Sequence, residues 1–246
     1  MKIDYLTTFP DVFDSYLNES MMLQAQNKGL FEYEAINLRD FAYDAHKTTD
    51  DAPYGGGDGQ VMKCEPIFDA IDAKYGNENP YIVIPCPQGK KFSDEIATRL
   101  SKLEHICFIC GHYEGIDERV YSICSETISI GDYVLTSGEL SSIVITDAIV
   151  RKIPGVLGAD TGALNESFAL PLIEHAQYTR PSVYRGMEVP EVLLSGNDAK
   201  IDEYRRYDSI KRTWLARPDL IEKCIMQGLF SDRDLEMLEE IKSSCK

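Results

Sequence analysis

Three apolar runs in this chain each end in a short turn that contains glycine. "YIVI" leads into "PCPQGKKF" (Pro85 to Phe92), "ICFIC" into "GHYEGIDER" (Gly111 to Arg119), and "TISI" into the stretch "SIGDYVLTSGELSS" (Ser129 to Ser142). Glycine has no side chain and tolerates unusual φ, so backbone amides and carbonyls in such turns can come close to a ligand. Three strand-end turns within about sixty residues predict one pocket at the carboxyl edge of a sheet, the usual ligand position in α/β proteins.

The rest of the first 155 residues fits that frame. "KIDYLTTF" reads as a strand, and Pro10-Asp11 opens a helical region closed by Gly29, with Val12, Phe13, Tyr16 and Leu17 on one face. "FEYEAINLR" alternates as a second strand and is followed by a loop of about twenty residues, a length that in a compact protein signals function or mobility. Glu65-Pro66 starts a helix stopped by Gly76. The strand "YIVIPC", a helix from Ser93 to Leu103, the strand "HICFIC", a short helix near Val120, the strand "ETISI" and a helix from Glu139 to Lys152 complete the series. Regular alternation predicts a largely parallel sheet with helices on both faces. Residues 158–170 are small and polar and read as a linker. Three helices follow a turn-rich segment: one from Asn197 or Asp198 with Ile201, Tyr204, Trp214 and Leu215 as apolar positions, one opened by Pro218, and one capped by Ser231.

Composition narrows the partners. The net charge of −16 argues against a nucleic-acid ligand, but it is unevenly spread: residues 171–246 hold 12 Lys/Arg against 14 Asp/Glu, net −2, which leaves −14 on the first 170. Lys200 to Arg217 contains six basic residues and three acidic ones, a local patch able to meet phosphates or simply a solvated helix face. Seven scattered cysteines, an odd number, fit reduced thiols better than a disulfide framework. No run nears the roughly 20 apolar residues that span a bilayer, and "MKIDYLTTFPDVF" has no apolar signal region, so the expectation is a cytoplasmic protein with no membrane partner.

Familiar motifs are few. "YGGGDGQV" (Tyr54 to Val61) lacks the Gly-Lys-Ser/Thr ending of a phosphate loop and follows a polar loop rather than a strand; it suggests close backbone approach or mobility. Cys107 and Cys110, three apart in a strand, point to opposite faces and read as core rather than as zinc ligands. His46, His105, His112 and His175 make no metal spacing, although His112 falls in a pocket turn and His46 in the long loop. Arg151 by itself reads as a cation at a helix C-terminus, and Glu166 as a solvated acid.

Taken together, "PQGKKF", "CGHYEGIDERV", "SIGDYVLTSGEL", "IPGVLG", "SF", "YTRPSVYRGMEVPEVLLSGN" and "RTWLARPDLI" occur in an order and spacing that resembles the bacterial tRNA (guanine-N1)-methyltransferase family, of the SPOUT class, over nearly the whole chain. The resemblance implies an α/β fold whose parallel sheet carries a deep trefoil knot, an exception to the rule against threading, plus a small C-terminal all-α domain. The implied division is a cofactor-binding and catalytic domain (1–157), a flexible linker (158–170) and a helical tRNA-binding domain (171–246). It implies a homodimer with active sites shared between subunits, S-adenosylmethionine as methyl donor, a Mg²⁺ requirement, and the tRNA anticodon arm as partner. The implied target is N1 of the guanosine immediately 3′ of the anticodon, tRNA position 37.

Residue by residue, the resemblance implies cofactor contacts from Ile84, Pro85, Pro87, Gly89, Gly111, Tyr113, Glu114, Gly115, Ile130, Gly131, Asp132, Tyr133, Val134, Leu135 and Gly138. It implies tRNA contacts from Arg39, His46, Lys47, Asp50, Lys200, Arg205 and Arg212. Guanine N1 carries a proton at neutral pH, so a base must remove it and a cation should steady the charge developing on O6. Arg151 matches the family arginine before "IPG". Glu166 stands where the family has an aspartate base, and Asp160 is the alternative. Ser137 and Ser141 depart from the usual Gly-Gly-Glu-Leu-Pro, Asp58 and Gln60 from the usual Pro and Met, and Asp198 from the usual histidine. Competing readings are methyl transfer at another RNA position, a non-catalytic RNA-binding relative, and a small-molecule α/β enzyme.

Overall fold

The apolar runs form one five-stranded sheet in which every neighbouring pair is parallel, in the order β2-β1-β6-β5-β7. In chain order the elements are β1 (Lys2–Thr7), α1 (Asp11–Leu17), α2 (Ser20–Asn27), β2 (Glu32–Asn37), the two-residue strands β3 (Asp50–Asp51) and β4 (Val61–Met62), α3 (Cys64–Tyr75) and β5 (Tyr81–Lys91). Then come α4 (Asp94–Leu100), β6 (His105–Ile109), β7 (Glu126–Ser129) and α5 (Gly138–Val150). The computed structural model describes residues 1–76, 78–158 and 166–244, and its contacts divide the chain into two units, Met1–Asp160 and Thr161–Lys246.

Strand alternation sends side chains to two cores. Ile3, Tyr5, Val83, Phe108 and Cys110 pack on one face with residues of α1, α2, α4 and α5. Leu6, Ile82, Ile84, Cys107 and Ile109 pack on the other with α3 and the flanking 3₁₀ turns at Leu38–Phe41 and Glu118–Ile123. Cys107 and Cys110 therefore lie in different cores, as their spacing requires. Burial pushes the Cys107 thiol up to about 12 and the Cys110 thiol well above its usual value. Tyr5 stacks between Phe13 and Phe108, with ring centroids 3.9 and 5.6 Å away, and its hydroxyl meets Thr146 Oγ1 at 2.6 Å, tying β1 to α5.

Several elements differ from the sequence expectation. The region between Pro10 and Gly29 is two helices rather than one, because Asn18 ends α1 and Ser20 takes a positive φ of 48°. Only Phe13 and Leu17 of α1 are buried; Val12 and Tyr16 face outward. The long loop holds the 3₁₀ turn and the β3–β4 pair. The segment near Val120 is a 3₁₀ turn. β5 runs on to Lys91, with a register shift between Pro85 and Lys90 where it pairs with β7.

The second unit is not purely helical. A hairpin of β8 (Val183–Tyr184) and β9 (Met187–Glu188) and the short helix α6 (Glu191–Leu194) precede α7 (Asp198–Ala216), α8 (Pro218–Met226) and α9 (Asp232–Ser244). Asn197 caps α7, and Asp198 places an acid in its first turn, where the helix dipole favours one. Ser231 and Asp234 cap α9 reciprocally: Asp234 N donates to Ser231 Oγ and Ser231 N to Asp234 Oδ2. α7 buries Ser209, Ile210 and Thr213, while Leu215 is exposed; the core is completed by Leu172, Ile221, Cys224, Met237, Leu238 and Ile241. No helix among the described residues is long and apolar enough to cross a membrane.

Gly89 sits where β5 returns to β7, and a Cβ there would lie 2.4 Å from the Ile128 amide nitrogen and 2.6 Å from the Thr127 carbonyl carbon. The obstacle is backbone, which cannot step aside cheaply. Gly89→Ala is expected to destabilise the protein by about 1–3 kcal/mol, read by urea denaturation. In native protein, iodoacetamide should leave Cys107 and Cys110 unmodified while urea exposes them; mass mapping of the alkylated peptides reads the result.

Candidate functional site

The carboxyl ends of β5, β6 and β7 open into a cleft of about 470 Å³, within the range of small-ligand sites. Its walls are the irregular stretch of β5 from Pro85 to Gln88 and the two predicted turns after β6 and β7. Pro85, Pro87, Gly111, Tyr113, Glu114, Gly115, Ile130, Gly131, Tyr133, Val134, Leu135 and Gly138 all line it. Ile84 does not, because it is fully buried in the α3-side core. Gly89 is an inter-strand contact rather than a wall, and Asp132 is exposed outside the lining.

The turns hold one another. Gly138 N donates to Gly111 O at 2.7 Å, and a Cβ on Gly138 would meet Gly111 N at 2.7 Å and Cys110 Cα at 2.9 Å. His112 pairs with Ser137 across this seam. Below it lies a buried polar chain that the sequence reading did not assemble. Thr7 Oγ1 donates to Glu139 Oε1 at 2.5 Å, and His112 Nε2 contacts Glu139 Oε2 at 3.0 Å. Glu139 is 1% exposed and sits in the first turn of α5, where the positive end of the helix dipole favours a carboxylate. An acid between Gly138 and Leu140, at the head of a helix rich in apolar residues, was the signal available in the sequence.

Tyr113 adopts a left-handed backbone conformation, φ 58°, at the cleft mouth. Such a residue persists only where its surroundings over-determine it. Here Glu114 N donates to Gln60 O, Gly115 N to His112 O, and Met62 N to Gly115 O. The glycine-rich loop thus packs behind the cleft turn through Gln60. Burial, then Asp50, raises the Tyr113 phenol, so the long loop reaches the cleft. In that loop Lys47 Nζ pairs with Asp40 at 3.1 Å, Arg39 donates to Lys47 O at 3.5 Å, and His46 N donates to Asp44. In the "IDER" motif, Arg119 grips Asp117 through two bonds of 2.8 and 2.7 Å, holding the Asp117 carboxyl down to about 2.

The chemistry of the lining is distinctive. Backbone groups alternate with Ile128, Ile130, Val134 and Leu135; Glu114 and Glu118 are present, and among the described residues no Lys or Arg lines the wall. A phosphorylated cofactor would lack a counter-charge here. A ligand with a flat apolar ring and a cationic tail fits both the apolar wall and the carboxylates.

Arg151 does not belong to the same end of the fold. Gly138 lines the cleft at the start of α5, and Arg151 follows its last residue, about 20 Å farther on at 1.5 Å per residue. Glu166 lies in the second unit, where its carbonyl accepts from Ala169 N at 3.1 Å. Asp160 lies outside the described residues. Arg205 and Arg212 fall within about 20° of each other around α7, while Lys200 is about 140° away, so these three do not share one face. Among the described residues no group of three or more His, Cys, Asp or Glu could hold a metal ion, so no residue is assigned to Mg²⁺.

The sequence profile of the family described as tRNA (Guanine-1)-methyltransferase TrmD matches residues 1–223. A tRNA (guanine-N(1)-)-methyltransferase of Staphylococcus epidermidis is 49% identical over 247 residues, covering 100% of this chain and 99% of its own length. One from Anoxybacillus flavithermus is 51% identical over 225 residues, 90% of this chain and 92% of its own, and one from Bacillus subtilis 48% identical over 225 residues, 90% and 93%.

Removing the Glu139 carboxylate leaves His112 Nε2 and the Thr7 hydroxyl without their buried partner. Glu139→Ala should cost about 1–3 kcal/mol of stability, measured by chemical denaturation.

Proposed function

This chain belongs to the tRNA (guanine-1)-methyltransferase family and transfers a methyl group to N1 of guanine in tRNA; we propose that the cleft at the ends of β5, β6 and β7 binds S-adenosylmethionine and that the target is the guanosine immediately 3′ of the anticodon. The observation that carries the cofactor reading is the lining itself. Apolar side chains suit the adenine ring, exposed backbone groups suit its polar edge, and Glu114 and Glu118 suit a cationic ligand in a wall with no Lys or Arg among the described residues. The cofactor, when bound, supplies an electrophilic methyl group.

The chain's own residues prepare the nucleophile. Glu166 takes the N1 proton, which frees the nitrogen lone pair to accept the methyl group that the cofactor would supply. Arg151 steadies the charge that develops on O6. Arg39, His46, Lys47, Asp50, Lys200, Arg205 and Arg212 meet the RNA.

The length of α5 supports a pair of chains. The cleft and Arg151 stand at opposite ends of a helix of about 20 Å, and an arginine side chain does not span that distance. A site that needs both takes Arg151 from a second copy. Val12 and Tyr16 on α1 and Leu140 and Val144 on α5 are exposed, and Tyr16 hydrogen-bonds Asp147, one turn beyond Val144. This apolar strip is the surface on which two copies pair. The trefoil knot belongs to the same reading, supported by the backbone contacts of Gly138 on Cys110–Gly111 and Gly89 on Thr127–Ile128.

Labelled S-adenosylmethionine offered with two tRNA transcripts tests the reading. Transfer is expected to the transcript with guanosine 3′ of the anticodon and not to its adenosine twin; equal transfer would move the site elsewhere in the RNA. Arg151→Ala should lower the single-turnover rate by about a hundredfold or more while cofactor affinity holds, the scale expected for an electrostatic stabiliser. Glu166→Gln should lower it about a hundredfold, and full activity would pass the base role to Asp160.

A further inference from the structure

The second unit has a pocket of its own, about 360 Å³, between the segment 175–182, α6 and the start of α7. Its composition is the reverse of the cleft's. Arg180, Arg205 and His175 line it and, among the described residues, no carboxylate does, in a chain whose net charge is −16. Tyr178, Leu193 and Leu194 supply an aromatic and apolar wall.

The neighbouring arginines show why this matters. Arg206 is bonded to Asp234 at 2.7 and 3.0 Å, Arg217 to Asp219 at 2.8 and 2.7 Å, and Arg233 to Glu203 at 2.7 Å. Arg205 has only a loose contact with Asp202, 3.7 Å, and Arg180 has no ion pair among the described residues. The acid behind the pocket, Asp208, already accepts from Ala176 N at 2.7 Å. Two guanidinium groups beside an exposed tyrosine form a site for a phosphate joined to a flat ring.

We infer that this pocket holds one unstacked nucleotide of the RNA substrate, its base against Tyr178 and Leu194 and its phosphate between Arg180 and Arg205. The inference rests on the proposed function for the identity of the polyanion. A duplex offers no free base face, so the pocket selects single-stranded loop nucleotides, which proteins read by stacking on aromatic rings.

The test is direct binding of tRNA to the full-length protein, with cofactor binding and methyl transfer measured beside it. Tyr178→Ala should weaken RNA binding about tenfold with an unchanged salt slope, and Tyr178→Phe should restore it, because stacking needs the ring and not the hydroxyl. Arg180→Ala should weaken binding and lower the slope of log affinity against log salt by about one. Cofactor affinity should not move in any variant. Wild-type RNA binding in Tyr178→Ala would overturn the pocket. So would a Tyr178→Phe loss as large as the alanine loss, since the hydroxyl would then be acting through its neighbour Tyr204. Displacement of tRNA by micromolar nucleoside monophosphate would assign the pocket to a free nucleotide and overturn it as well. If the wild-type protein methylates tRNA while every variant binds normally, the pocket fails and the function stands. If tRNA binds through Tyr178 and Arg180 but is never methylated, the function fails and the pocket stands.

Discussion

The contact on which the first unit depends is one of backbone against backbone. Gly138 opens α5 directly on Cys110 and Gly111, at a separation no side chain would permit. Everything about the cleft follows from it. The turn after β6 and the turn after β7 become neighbours, His112 is brought over Glu139, and Thr7 at the end of β1 completes the buried chain. A carboxyl group sealed at this depth needs all of its partners, because a buried polar group without hydrogen bonds is far more costly than one in water. Glu139 therefore fixes three elements, β1, the β6 turn and α5, relative to one another. The rigid floor in turn supports a strained residue at the rim, Tyr113, which a looser turn would release.

The two pockets divide the chemistry by charge. The sheet-end cleft is apolar and acidic, and the pocket of the second unit is basic and aromatic. That contrast reconciles a strongly acidic protein with an RNA substrate. The acidic surplus lies in the first 170 residues, while Arg180 and Arg205 line the pocket of the second unit, where RNA is expected. Weak steering by net charge is replaced by local contacts of defined shape.

The sheet was legible in the sequence because its central strands β5 and β6 carry continuous apolar runs, the pattern of strands buried on both faces, and its edge strand β2 alternates. The three turns announced the cleft for the same reason, and twelve of the fifteen named cofactor positions line it. What was not legible depended on tertiary context. Val12 and Tyr16 share the apolar character of Phe13 and Leu17, and only the position of α5 decides which pair is covered. The break at Ser20 is a backbone conformation with no residue signature. Ile84 and Gly89 stand beside genuine lining residues, but alternation along β5 turns one into the core and the register shift presses the other against β7. The basic run of α7 looked like one patch; helix periodicity and the pairing of Arg206 with Asp234 divide it. Tyr178 to Arg180 open a motif shared with the family, but the pocket they line was not legible, because the residues they face lie in α6 and α7.

Helix α5 has a further consequence, which belongs to genetics. It carries the cleft at its head and Arg151 just past its tail. On the two-copy reading, each active site draws its cleft from one chain and its arginine from the other. A chain crippled only in the cleft and a chain crippled only at Arg151 are then each inactive with their own kind. Mixed, they form pairs in which one site collects both defects and the other collects none. Two defective alleles would complement, and the ceiling of that rescue would be half of the sites in the mixed pairs.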